Sequence, residues 1–150
     1  MRTAYRTLAY LIALGVVFQA AVVAFGTFGF ISEVDTGAVL TADSEAPNAG
    51  PMLHAIGGMM VIPALTLLLV LSSFFAKVPG GIKWALLVLL AVVVQINLGF
   101  FAFGLPAVGL LHGANAFAVL ALALTAARAA SRADAPAPVR PSESRLQSAT

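Results

Sequence analysis

Met52 to Ala76 reads MLHAIGGMMVIPALTLLLVLSSFFA, Lys77 to Lys83 reads KVPGGIK, and Ile82 to Phe103 reads IKWALLVLLAVVVQINLGFFAF. Two long apolar runs therefore meet at a short Pro-Gly-Gly turn bracketed by lysines. A bilayer crossing takes about 20 mostly apolar residues. A turn this short returns the chain beside itself, so the two runs form an antiparallel pair. Similar runs lie on either side, Leu8 to Phe30 before and Pro106 to Ala130 after. The expected fold is all-α: an integral membrane four-helix bundle in up-down-up-down order, with residues 1–130 as the transmembrane domain.

Composition supports that reading. Hydrophobic residues make up 61% of the chain and charged residues 9%. Soluble domains carry roughly 25% charged residues. A chain this apolar needs lipid as its solvent, and helices satisfy their own backbone polar groups there. Cysteine is absent. That excludes disulfides, thiolate metal sites, iron–sulfur clusters and covalent haem attachment through C-x-x-C-H. No nucleic-acid motif accompanies the net charge of +2. There is also no Ser/His/Asp set, no membrane carboxylate pair and no phosphate-binding glycine loop.

Charge placement sets an expected topology. Arg2, Arg6, Lys77, Lys83, Arg128, Arg132, Arg140 and Arg145 all fall on one side of the four spans. The first loop carries Glu33, Asp35, Asp43 and Glu45 and no cation. The positive-inside rule then places both termini and the Lys77–Lys83 turn in the cytoplasm, with a bacterial inner membrane as the expected location. Tyr5, Tyr10, Phe74, Phe75 and Trp84 sit near the same span ends, as an interfacial aromatic belt would. The first run is longer than a signal-peptide core and reads as a retained span. Residues 131–150, rich in Ala, Pro, Ser and Arg, read as a disordered cytoplasmic tail.

The two histidines stand at the opposite end. His54 begins span two and His112 lies about two turns into span four. Both spans run inward, so each ring is expected within roughly 3–10 Å of the outer boundary. Spans two and four face each other across an up-down bundle, and two imidazoles so placed suit the axial positions of one haem iron. Small residues flank both: Gly57 and Gly58 below His54, Gly109 and Ala116 around His112. They would clear space for a planar macrocycle, or let helices pack closely.

Other polar groups are sparse. Gln19, Gln95 and Asn97 fall near the middle of spans one and three, and Asn115 is one turn beyond His112. They are expected to hydrogen-bond between helices, or to orient a haem ligand or a bound quinone. Met52, Met59 and Met60 near His54 admit a copper(I) reading, weakened by their separation along the helix.

The halves of the chain also echo each other. Val16-Val17-Phe18-Gln19 parallels Val92-Val93-Val94-Gln95, and a Val stands seven residues after each His, at Val61 and Val119. Pro63 interrupts span two as a tolerated membrane proline or a kink.

Gln95-Ile-Asn-Leu-Gly99, Leu105 to Leu111, and His112-Gly-Ala-Asn-Ala-Phe117 resemble the third and fourth helices of one half of haem A synthase. That family is built from two four-helix bundles, with haem-binding histidines on the second and fourth helices. The resemblance carries over to His54 and His112 only, and it spans one bundle. Pro51 stands where the family pattern has Glu, Ala55 where an Arg is common, and the outer-loop cysteine pair has no counterpart. The chain also resembles small bacterial four-helix membrane proteins of unknown function, through Met60-Val-Ile-Pro63 and Phe75-Ala-Lys-Val-Pro-Gly-Gly81.

The leading expectation is a b-type cytochrome holding one haem b, for electron transfer or haem sensing rather than catalysis by itself. A quinone or redox protein would be its partner, alone or in a larger complex. The competing expectation is a cofactor-free accessory subunit, and the third a small transporter.

Overall fold

The computed structural model describes residues 1–134. Those residues form helices and connections, with no strand among them. Helix α1 spans Arg2–Asp35. Span two is composite: α2 (Gly50–Ile56), a π-helical turn (Gly57–Val61) and α3 (Ile62–Ala76). Helix α4 runs Gly81–Gly104 and α5 runs Val108–Asp134. Each of the four spans is long and apolar enough to cross a membrane. Glu33 and Asp35 extend α1 rather than lie in the loop, and α5 runs past Ala130 to Asp134. The remainder of the expected tail lies outside the described residues.

Local chemistry explains the reversals. Lys77 ends α3 in the left-handed region (φ 50°), and Gly80 opens α4 at φ 69°. Glycine tolerates that backbone without strain, and Pro79 before it cannot continue a helix. Between α1 and α2, Asn48 bridges the hairpin. Its amide donates to the Phe25 carbonyl and its Oδ1 accepts from Gly50 N–H, both at 2.9 Å.

Helix α1 packs on α2/α3 and on α5, while α4 packs on α3 and α5. Spans two and four are therefore diagonal. Arg2 bonds the Ala133 carbonyl, and the Tyr5 hydroxyl bonds the Gly81 carbonyl. These contacts gather the N-terminus, the α3–α4 turn and the end of α5 at one end of the bundle, here called the basic end.

The core lies toward that end. Tyr5, Ala9, Ile12, Leu69, Ala85, Val88, Ala123 and Ala126 are fully buried. By contrast no residue from 93 to 118, or from 51 to 61, is buried. Burial on span two and on α4 and α5 thus thins toward the histidine end. Phe18, Phe25, Leu67, Leu71, Leu90, Phe101 and Phe117 are exposed around the perimeter, a surface suited to lipid.

Helix α1 with span two repeats α4 with α5. Gln19 corresponds to Gln95, and counting back, Ala9 matches Ala85 and Ile12 matches Val88, all but the glutamines fully buried. In the second helices the matching core positions are Ile62 and Val119, Thr66 and Ala123, Leu69 and Ala126, Ser73 and Ala130. The expected Val61–Val119 match is off by one residue. Val61 is 50% exposed, whereas Val119 is 2% and Ile62 8% exposed. The π turn absorbs that extra residue in span two.

Candidate functional site at the histidine end

His54 is the fifth residue of α2 and His112 the fifth residue of α5. The two half-buried rings meet across the diagonal, with centroids 6.1 Å apart and planes inclined at 69°. Equal depth and diagonal placement follow from up-down connectivity and matching helix starts.

The His112 ring is backed by the main chain of α4. His112 Nδ1 lies 3.0 Å from the Gln95 carbonyl. A carbonyl only accepts, so Nδ1 carries a proton, and in the neutral ring the Nε2 lone pair is then left free. That tautomer makes Nε2 the nitrogen available to a metal. His54 Nδ1 is buried without a hydrogen-bond partner.

The amides divide into three groups. Asn115 donates to Gln95 Oε1 at 2.7 Å and to the Ala91 carbonyl at 2.9 Å, tying α5 to α4 just below His112. Gln19, only 8% exposed, reaches the Leu53 carbonyl at 3.5 Å and leaves Oε1 unpaired. Asn97 turns away: its amide caps its own helix at the Val93 carbonyl, and the residue is exposed. Asn97 orients neither histidine.

The glycines differ in what an added side chain would meet. A Cβ on Gly57 would overlap the Gln19 amide, and one on Gly58 would lie 3.5 Å from Gln19 Oε1. The Gln19 amide therefore excludes a side chain at Gly57, whereas one at Gly58 would make ordinary contact. A Cβ on Gly109 would lie 4.0 Å from the Ala102 Cβ of α4, an ordinary contact. Ala116 is half-buried one turn past His112. The glycine that admits a histidine is Gly99, where a Cβ would stand 3.2 and 3.3 Å from His112 Cε1 and Nδ1. Its signal in the sequence was its place one helical turn after Gln95.

Met52, Met59 and Met60 are exposed, which removes them from a shared site with His54. Among the described residues no group of three or more His, Cys, Asp or Glu is placed to hold a metal ion. No family model, no curated protein and no solved structure matches the chain.

Proposed function

We propose that this chain is a b-type cytochrome-like membrane protein, holding one haem between His54 and His112 for one-electron transfer or haem sensing. The observation that carries the reading is the separation of the two rings. Metal–nitrogen bonds of about 2 Å on either side of one ion, with ring radii of about 1 Å, put two imidazole centroids roughly 6 Å apart. The observed separation is 6.1 Å, with ring planes steeply inclined. A bare transition metal would need further protein ligands, and the described residues supply none. A porphyrin brings its own four nitrogens, so two histidines suffice.

The chain's own groups then have definite tasks. The Gln95 carbonyl holds His112 in the tautomer whose Nε2 lone pair is free. Asn115 fixes the helix pair that carries it. Neutral imidazoles avoid placing a charge in lipid. A wide, flat group would have to enter at the histidine end, where residues 51–61 and 93–118 are partly or fully exposed. Haem, when bound, supplies a one-electron couple; with both axial sites filled, electron transfer is favoured over oxygen chemistry. Propionates at this end would meet water, loop hydroxyls such as Thr41 and Ser44, or backbone donors, because the arginines and lysines gather at the basic end. The cytoplasmic placement of the basic end, a bacterial inner membrane, and a quinone or redox-protein partner belong to the same proposal.

Protein purified from haem-replete cells is expected to show a low-spin haem spectrum that His54→Ala and His112→Ala each disturb. Colourless, folded protein would reject it. The second reading, a cofactor-free accessory subunit, draws on the direct edge-to-face contact of the two rings and on the Gln95–Asn115 bond, which are packing interactions in their own right.

A further inference from the structure

We infer that the π-helical turn Gly57–Val61, held open by Pro63, is a register device that turns His54 toward His112. The inference builds on the reading of the two histidines as one site, and it makes Pro63 a positioning residue for that site.

The buried face of α3 is Ile62, Thr66, Leu69, Ser73 and Ala76. Continued upstream at about 3.6 residues per turn, it would pass through Gly58, Ala55 and Pro51. The structure instead presents Gly50, His54 and Gly57. Gly50 is buried, His54 half-buried against His112, and Gly57 meets the Gln19 amide, whereas Ala55 is exposed. The face has shifted by one residue, roughly 100° of rotation on a helix. Span four needs no such shift, because His112 stands seven residues before Val119 with regular helix between them.

Pro63 supplies the cause. It has no N–H to offer the Met59 carbonyl, and its ring would strike that carbonyl in a regular helix. The turn before it widens, and Ile62 N–H bonds the Gly57 carbonyl, five residues back. Such π turns are rare and concentrate at functional sites. Gln19 reinforces the register: its amide lies where a Gly57 side chain would be and reaches the Leu53 carbonyl.

Two changes separate register from mere stability. Pro63→Ala restores an N–H, so the span can close into a regular helix that rotates His54 out and Ala55 in. Deleting the exposed Met60 in the Pro63→Ala background removes the surplus residue. A regular helix then carries His54 inward, at the same spacing from Ile62 that His112 keeps from Val119. The chain has no cysteine, so His54→Cys with His112→Cys reports the geometry directly in membranes, using a short rigid bismaleimide and mass spectrometry. The expected result is cross-linking in the parent, loss to background with Pro63→Ala, and recovery with the added deletion. An Arg6→Cys, Asp134→Cys control pair at the basic end is expected to cross-link in all three. Undiminished 54–112 cross-linking with Pro63→Ala, or no recovery on deletion, overturns the inference. The readout needs no haem: a colourless parent showing this pattern would sink the cytochrome proposal and leave the register device standing.

Discussion

Asn115 of α5 donates to Gln95 Oε1 of α4 at 2.7 Å, and the main chain of that same Gln95 receives His112 Nδ1. One residue thus fastens the helix pair through its side chain and the imidazole through its backbone. Interhelical bonds of this kind contribute about 0.6–2 kcal/mol in membranes. Asn115→Leu is expected to lower stability by about that amount in mixed-micelle unfolding. Gln95→Leu leaves the Asn115–Ala91 bond in place, so it should cost less, and it should leave the His112 Nδ1 contact unchanged, since the carbonyl remains. Nitrogen NMR of His112 in both variants checks the division of labour; a tautomer lost with Gln95→Leu alone would contradict it.

Gly99 limits what can stand beside His112. An added Cβ would already sit 3.2 Å from the ring, closer than ordinary contact. Gly99→Leu is therefore expected to displace His112 and, in haem-loaded protein, to abolish the low-spin spectrum or convert it to a single-histidine form. Gly113→Ala, which meets nothing within 4 Å, should leave the spectrum as it was. Equal effects from the two would show that the ring does not depend on the Gly99 notch.

Tyr5 is fully buried, and its hydroxyl bonds the Gly81 carbonyl at 2.9 Å. Tyr5→Phe keeps the ring and removes this bond while the Gly81 carbonyl keeps its place in the α4 ladder, so a loss of about 0.5–1.5 kcal/mol is expected in unfolding measurements. The bond joins the first turns of α1 and α4, far from the histidines. The 54–112 cross-link described above should accordingly survive.

Much of this architecture is legible in residue order because membrane folding has few options. Apolar run lengths identify four helices, the Pro-Gly-Gly turn makes the middle pair antiparallel, and the lysines and arginines sort the ends. Diagonal placement then follows for His54 and His112 at matching distances from their helix starts. Less legible was anything that depends on rotation about a helix axis. A π turn changes no residue type, yet it moves the inward face of span two by one position, so Val61 faces out where Ile62 faces in. Likewise Asn97 and Asn115 look alike in sequence. One caps its own helix while the other crosses to Gln95, a difference set by which side of the bundle each faces.

Asp134 near the end of the described chain accepts from Arg6 at 3.2 Å and lies 3.6 Å from Arg2. Both arginines and the aspartate are partly exposed, which places these pairs in the range of about 0–1 kcal/mol and makes them sensitive to salt. Asp134→Asn is expected to change stability by less than about 1 kcal/mol and to leave the rings' geometry untouched. The same region tests topology. Cysteines at Lys77 and at Ser44 mark opposite ends of the bundle, the first beside the arginine-rich termini and the second in the loop before α2. If the excess of cations directs insertion, a membrane-impermeant thiol reagent will label Ser44→Cys in intact cells and Lys77→Cys only after permeabilisation. The reverse pattern would place His54 and His112 near the cytoplasmic leaflet and overturn the proposed orientation.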